Sequence, residues 1–356
     1  MSLSPFDHPF LSGLLGDAEV GAWLSAEADL AAMLSFERAL AEAEAAEGVI
    51  EASAAAIIAE QLAGFVPDMA KLKAGLGRDG VAGPELVRQL RERVGGEAAA
   101  FVHFGATSQD LADTSLAIRL RAILEIFGQR LNGLAGALAA LEKRDGATRT
   151  MAHTRMQAAI PVPAARKIRS WRDPLERHHA HLSGVADEVC VLTFGGAAGT
   201  LDKLGEKGPA VTRRMAIALG LKAVVHARHS ERDGTAGLAS WLSLVTGSLG
   251  KMGQDIALLA QSEVGEVKLA GGGGSSAMPH KVNPVGAEVL VTLARFNATL
   301  VSGMHQSLVH ENERSGAAWT LEWMLLPQML LATGAALRIA SEVVDGVSFV
   351  DRGAQA

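Results

Sequence analysis

The feature that most constrains this chain is a long stretch without proline, from Thr107 to about Arg144. Thr107 and Asp110 are spaced like a helix capping box in which Asp replaces the usual Glu or Gln. Most globular helices have about 11–12 residues, so a helix of this length needs long neighbours to cover its apolar face. Apolar residues recur near the 3.6-residue helical period at Leu111, Leu116, Ile118, Leu120, Ile123, Leu124, Phe127, Leu131, Leu134, Leu138 and Leu141.

Several other segments show the same periodicity, and strand signals are weak. Two shorter helices are predicted at about Ala28–Gly48 and Glu85–Val94. The long patterns are Pro163–Val189, Gly234–Val264, Pro284–His310 and Trp319–Val344. We expect a kink at Pro174 in the first of these and an interruption at Pro327 in the last. All these segments together predict an all-α protein built on a bundle of long helices.

Composition and charge exclude several classes of protein. The net charge of −6 argues against a general nucleic-acid binder. No continuous apolar run reaches the roughly 18–20 residues that span a bilayer, and no secretory signal is visible at the N-terminus. Cys190 is the only cysteine, which fits a reducing compartment. We therefore expect a cytoplasmic protein with neither a nucleic-acid nor a membrane partner.

A glycine-rich segment, Gly271–Glu288, carries the strongest chemical signal. It reads GGGGSSAMPHKVNPVGAE and runs into a helical pattern. Glycine lets main-chain N–H groups approach a ligand closely, and Pro284 suits the first position of a helix. Helix N-termini bind anionic oxygen, and Ser275, Ser276 and Lys281 lie within the same span. The pattern indicates a loop that handles a carboxylate.

Two further polar clusters are less specific when taken alone. His103–Asp110 reads HFGATSQD, and it is equally typical of an ordinary helix cap. His153–Gln157 reads HTRMQ and is also compatible with a solvated turn. The histidines at 178, 179 and 181 share a helical pattern, but no carboxylate or cysteine pattern completes a metal site around them.

Together the three clusters resemble the fumarase/aspartase superfamily, also called the argininosuccinate lyase family. Residues 274–284 match its signature GSSxMPxKxNP completely, whereas 105–110 and 151–163 are similar to its other two regions. The resemblance extends from about Ala28 to Trp323. It implies a homotetramer around a central helical bundle, with each active site drawn from different subunits. It also implies an N-terminal helical domain at 1–104, a bundle domain at 105–345 and a short tail at 346–356. Family members usually continue into a small C-terminal helical domain, and in this chain we expect that domain to be reduced or absent.

The resemblance also implies the chemistry. Superfamily members add or eliminate a group next to a carboxylate through an aci-carboxylate intermediate, on a small polycarboxylate substrate, without a cofactor or metal. Ser275 then transfers the proton, and Lys281 and His103 complete the catalytic group. The residues implied to bind substrate are Thr107, Ser108, Gln109, Arg155, Gln157, Ser276, Met278, Asn283 and Arg314.

Arg155 distinguishes among the reactions of the superfamily. Lyases of the superfamily commonly have an acid histidine where this chain reads Thr154-Arg155-Met156-Gln157. Residues 101–110 and 313–323 are similar to the carboxymuconate cycloisomerase branch. That branch implies lactonisation of 3-carboxy-cis,cis-muconate to 4-carboxymuconolactone, in which the reacting oxygen belongs to a carboxylate and needs no acid. Adenylosuccinate lyase or another superfamily lyase is the alternative, and Arg155 also admits a reading as a surface residue beside the site.

Overall fold

The computed structural model describes residues 4–270, 273–274, 278 and 281–351. Within them, the chain forms mainly α-helices, joined by loops of varied length and by two 3₁₀ turns at Glu97–Phe101 and Gly205–Lys207. The helices are α1 (Ser12–Leu15), α2 (Ala18–Trp23), α3 (Ala26–Ala46), α4 (Ala52–Leu62), α5 (Met69–Asp79), α6 (Gly83–Val94), α7 (Ser108–Asp145), α8 (Ala164–Val189), α9 (Gly208–Leu219), α10 (Asp233–Leu259), α11 (Val285–Gln306) and α12 (Ala317–Gly346).

Five long helices, α7, α8, α10, α11 and α12, pack side by side and run alternately up and down. Thr114, near the start of α7, donates a hydrogen bond to the carbonyl of Thr193, just after α8 ends. At the opposite end, the N–H of Phe349, after α12, donates to Asp145, the last residue of α7. We call the end where α7 begins the cap end, and the end where α7 finishes the hairpin end.

Two apolar cores hold the molecule together. The larger core lies inside the bundle and includes the fully buried Phe127, Trp171 and Leu242. The smaller core lies at the cap end, where helices α3, α4, α6 and α9 pack around the first turns of α7, with Phe36 at its centre. Segment 192–221, which follows α8, thus packs with the N-terminal helices.

The periodicity predicted most helix positions. Asp110 accepts a hydrogen bond from the N–H of Thr107 at 3.0 Å, as the capping-box spacing predicts. Two helices end earlier than predicted: α10 ends at Leu259 instead of Val264, and α11 ends at Gln306 instead of His310. The interruption expected at Pro327 is wrong, because α12 continues through that residue.

The structure also contains strands that the periodicity did not predict. In the described part of the chain they form three antiparallel pairs. The longest pair is a hairpin in which one strand, Gln157–Pro163, is almost wholly exposed and the other, Arg149–Thr154, buries a single residue, so neither has an apolar face with a period of two. The pairs are β1 (Arg149–Thr154) with β2 (Gln157–Pro163), β3 (Val267–Leu269) with β6 (Val347–Phe349), and β4 (Gly273–Gly274) with β5 (Val282–Asn283).

Two of the described helices, α11 and α12, are long and apolar enough to cross a membrane by length and composition alone. Buried core helices meet the same criterion. In α12, 61% of the most apolar window is buried inside the chain, which is typical of a core helix. In α11 only 28% is buried, so this helix presents apolar surface outside the single chain.

Candidate active site

Asp110 organises the turn that begins α7. Its carboxylate is fully buried and accepts hydrogen bonds from the N–H groups of Thr107, Gly195 and Gly196 at 2.9–3.0 Å. The Nε2 of His229 lies 2.7 Å from the same carboxylate. Because Gly195, Gly196 and His229 lie far from Asp110 in sequence, Asp110 fixes the position of the helix N-terminus against the loop that follows α8.

The loop at 195–196 lies very close to this turn. A side chain at Gly196 would place a Cβ 2.6 Å from the carbonyl oxygen of Gly105, and its φ of +71° also favours glycine. The close backbone approach therefore requires glycine at this position. It brings the carbonyl of Ala197 within reach of Arg314, whose NH2 group donates to it at 3.1 Å.

Gln109 and Arg314 meet at the cap end, although 205 positions separate them in sequence. The Nε of Arg314 donates to the Oε1 of Gln109 at 3.0 Å. The amide of Gln109 in turn donates to Asp113 at 3.1 Å and to the carbonyl of His229 at 2.8 Å. Two residues that the family resemblance implies as substrate ligands are thus brought together, with Gln109 itself almost fully buried.

A buried ionic network lies directly behind Gln109. The guanidinium of Arg232 bonds Asp113 at 2.8 Å and both carboxylate oxygens of Glu322 at 2.9 and 2.5 Å. The indole of Trp319 donates to the other oxygen of Asp113 at 2.9 Å. Burial disfavours the charge on Arg232, but Asp113 and Glu322 outweigh it and hold the pKa of Arg232 above its ordinary value.

A cleft of about 850 Å³ opens in front of these groups, and we call it the cap-end cleft. The N-terminus of α7 lies at its wall, so the helix dipole and the guanidinium of Arg314 both favour an anion there. Its lining includes Thr107, Ser108, Gln109, Arg314 and Thr320.

His103 lies outside the residues that line this cleft. Its Nδ1 is 2.5 Å from Glu37, and both side chains are nearly buried. Burial lowers the pKa of His103, but the charge and hydrogen bond of Glu37 outweigh it and raise the pKa above its ordinary value. Nearby, burial and the charge of Glu37 raise the pKa of Glu44 to about 8. A catalytic role of His103 stays a prediction. In the structure the His103 side chain pairs with Glu37, beneath the turn that begins α7.

The second cluster forms the tip of the β1–β2 hairpin. Thr154 pairs with Gln157, so Arg155 and Met156 are the two central residues of the turn. Their φ angles are +50° and +67°, a left-handed conformation that is uncommon for residues other than glycine. Both side chains are exposed, as is Gln157. Strained residues of this kind concentrate at functional sites, which supports a role for the tip in binding.

A cleft of about 780 Å³ lies beside the hairpin, and we call it the hairpin cleft. Its lining is strongly cationic and includes Arg155, Arg166, Lys167 and Lys251. Lys167 is half-buried and donates to the carbonyl of Met151 at 3.0 Å, and burial lowers its pKa. Asp255, the one carboxylate that the described residues contribute to this lining, already pairs with Lys251. The hairpin cleft therefore suits a multiply charged anion.

The third cluster lies at the same end. Gly273–Gly274 pairs with Val282–Asn283, which brings the ends of the glycine loop together immediately before α11. Lys281 is exposed, its N–H donates to the carbonyl of Met278 at 3.0 Å, and α11 begins at Val285, one residue later than predicted. The predicted roles of Ser275 and Ser276 fall outside the described residues. Lys281, Asn283 and Met278 line a cleft of about 600 Å³ that shares Leu258 and Gln261 with the hairpin cleft.

The three clusters therefore lie at two ends of one chain. Between the GATSQD turn and the hairpin stands α7, whose 38 residues span about 57 Å at 1.5 Å per residue. A small substrate cannot bridge that distance. Among the described residues, no group of three His, Cys, Asp or Glu side chains is arranged to hold a metal ion.

Sequence reasoning missed the residues behind the cap-end cleft. Asp113 lies four residues after Gln109, a spacing that places both on one helix face, so a search for such pairs finds it. Arg232 and Glu322 carry no comparable signal, because their burial depends on partners that lie far away in sequence.

Comparisons with known proteins identify the family of this chain. The profile of the lyase family matches residues 18–298. A 3-carboxy-cis,cis-muconate cycloisomerase from Pseudomonas aeruginosa is 39% identical over 348 residues, which cover 96% of this chain and 75% of that protein. A protein of the same name from Bradyrhizobium diazoefficiens is 37% identical over 345 residues, covering 95% and 76%. The chain belongs to the lyase family of the fumarase/aspartase superfamily.

A solved structure supports the fold as well. The crystal structure of 3-carboxy-cis,cis-muconate lactonizing enzyme from Pseudomonas putida has a TM-score of 0.91 at 36% identity, covering 96% of this chain and 78% of that one. The predicted all-α bundle of the fumarase/aspartase type is confirmed, and so is the likeness to the cycloisomerase branch.

Proposed function

We propose that this protein catalyses the intramolecular lactonisation of 3-carboxy-cis,cis-muconate to 4-carboxymuconolactone. The observation that carries the proposal is the 37–39% identity, over 95–96% of the chain, to two proteins named for that reaction. Cationic groups of the two clefts, among them Arg155, Lys167 and Arg314, suit a substrate with three carboxylates.

The reaction balances as an addition followed by a proton transfer. A carboxylate oxygen of the substrate forms a C–O bond to one carbon of a double bond. The π electron pair of that double bond moves onto the conjugated carboxylate, which becomes an aci-carboxylate. Ser275 then donates a proton to the carbon and recovers one from solvent. Lys281 and the N-terminus of α11 stabilise the developing charge. Since the substrate has three carboxylates and the lactone has two, one proton is consumed per turnover.

Arg155 fits this reaction better than a conventional lyase reaction. Elimination of an amine or hydroxide requires a general acid, whereas a carboxylate oxygen has a conjugate acid with a pKa near 4 and requires none. A guanidinium at the hairpin tip instead binds a carboxylate through two parallel hydrogen bonds.

The assembly we propose is a soluble, cytoplasmic homotetramer with active sites shared between subunits. The 38-residue length of α7 separates the cap-end cleft from the hairpin cleft. In addition, α11 is apolar while only 28% of its most apolar window is buried within the chain. A partner subunit that packs on α11 covers this surface and brings the cap end of one chain to the hairpin end of another.

The test is an ultraviolet assay with purified protein and 3-carboxy-cis,cis-muconate in a weakly buffered solution with a pH indicator. Lactonisation destroys the conjugated diene and consumes one proton for each molecule lost. Cleavage of adenylosuccinate is the parallel assay, since it releases fumarate without consuming a proton. Loss of the diene with equal proton uptake supports the proposal, and turnover of adenylosuccinate alone contradicts it.

A further inference from the structure

The amide of Gln109 has a fixed orientation. Its Nε2 faces Asp113 and the carbonyl of His229, both of which only accept hydrogen bonds. The Oε1 is therefore turned toward Arg314, whose Nε donates to it at 3.0 Å. Both N–H donors of the amide are used inside the protein. Gln109 therefore supports Arg314, and Arg314 is the residue that can contact the substrate.

Asp113 sets this orientation and is itself held from two sides. Arg232 donates to the same carboxylate oxygen as Gln109, at 2.8 Å, and Trp319 donates to the other oxygen at 2.9 Å. Glu322 fixes Arg232 through both of its oxygens. Every member of this network is buried, so these contacts are stronger than the same contacts at the surface.

We propose that Asp113 and Arg232 are positioning residues that hold the guanidinium of Arg314, through the amide of Gln109, at the cap-end cleft where it binds a substrate carboxylate. The inference rests on the proposed function for the identity of the substrate. The geometry of the support does not depend on which polycarboxylate the site accepts.

Asp113→Asn is the sharpest test. The oxygen of the new amide must face Trp319, so its NH2 group faces Arg232 and the NH2 group of Gln109. Gln109 must then flip and present a donor to the Nε of Arg314, which loses that acceptor and keeps the carbonyl of Ala197. We expect KM for 3-carboxymuconate to rise about tenfold or more, with kcat within about threefold of wild type.

A second substitution should rescue the first. In Asp113→Asn/Gln109→Glu the carboxylate at 109 accepts from the new amide at position 113 and from Arg314, and the total charge equals that of the wild type. The carboxylate loses the hydrogen bond to the carbonyl of His229, so we expect a partial rescue in which KM falls about threefold or more from the value of Asp113→Asn. Loss of packing alone predicts no rescue. Asp17→Asn is the matched control, because Asp17 is a buried carboxylate paired with Arg130 away from the cleft, and its KM should not change.

If Asp113→Asn does not fold, Gln109→Met removes the relay and leaves the Asp113–Arg232–Glu322 network in place, with the same expected rise in KM. A crystal structure of either variant provides a readout that needs no substrate. We expect the guanidinium of Arg314 to move by more than about 1 Å. An unmoved Arg314, or an unchanged KM in the variant that folds, overturns the inference. A wild type without activity on 3-carboxymuconate overturns only the proposed function.

Discussion

The cap end and the hairpin end of the bundle each hold a cleft of similar volume, but the two are built differently. At the cap end, the buried carboxylate of Asp113 holds Gln109, and Gln109 in turn accepts a hydrogen bond from Arg314. At the hairpin end, Arg155, Gln157 and Lys281 are exposed. The cap-end groups are linked to a buried network within the single chain, whereas at the hairpin end Lys167 and Lys251 have partners in the chain and Arg155 projects from the turn. We infer that both ends bind substrate and that the hairpin end, once covered by partner subunits, also carries the chemistry.

The largest effect is expected for Ser275→Ala at the hairpin end. Loss of the proposed proton-transferring residue should lower kcat by about 10²–10⁴-fold or more, while fold and assembly persist. Steady-state kinetics with circular dichroism and light scattering check this. Ser276→Ala is the matched control with a smaller expected loss. Near-native turnover of Ser275→Ala assigns the proton transfer to another residue. It would also contradict the assignment of the chemistry to the hairpin end.

Arg155→Met should have the next largest effect. A substrate carboxylate left without its partner should raise KM about 10–100-fold, with a smaller change in kcat. The KM of Arg155→Lys should lie between those of the wild type and Arg155→Met, because lysine keeps the positive charge and loses the bidentate geometry. Ile160→Ala, an exposed change on the same hairpin, serves as the control. Unchanged kinetics of Arg155→Met identify it as a surface residue.

His103→Asn should have the smallest effect on activity, with KM rising more than kcat falls. Its main effect should be on stability, because the substitution removes a buried partner of Glu37. Since the folded-state pKa of His103 is raised, its charged form stabilises the fold below the unfolded pKa of about 6.5, and this contribution disappears as pH rises through the folded value.

Urea unfolding of wild type and His103→Asn from pH 5.5 to 9 measures this difference. We expect a gap of about 2–3 kcal/mol at pH 5.5 that narrows toward pH 9. A gap that does not vary with pH contradicts the ionic role. A thousandfold fall in kcat with unchanged KM indicates instead that His103 is a general acid, as in a conventional lyase.

The sequence predicted the two ends to different degrees for a physical reason. The long helices carry an apolar face, so periodicity alone located α7 and its cap at Thr107. The hairpin has no such face, and its turn contains Arg155 and Met156 in place of glycine or asparagine, so neither strand nor turn chemistry was visible. The support for Arg314 arises only when Asp113, Arg232 and Glu322 meet in space.

The central claim is that one active site combines the cap end of one subunit with the hairpin end of another. Arg314→Met and Ser275→Ala each inactivate or weaken one end, and each chain keeps the other end intact. Mixed after reversible dissociation, they form hybrid tetramers in which random assembly leaves about a quarter of the sites with both residues. We predict activity of about a quarter of wild type in the mixture, well above either variant alone. A mixture no more active than its separate components places both ends of the site in one chain and contradicts the account.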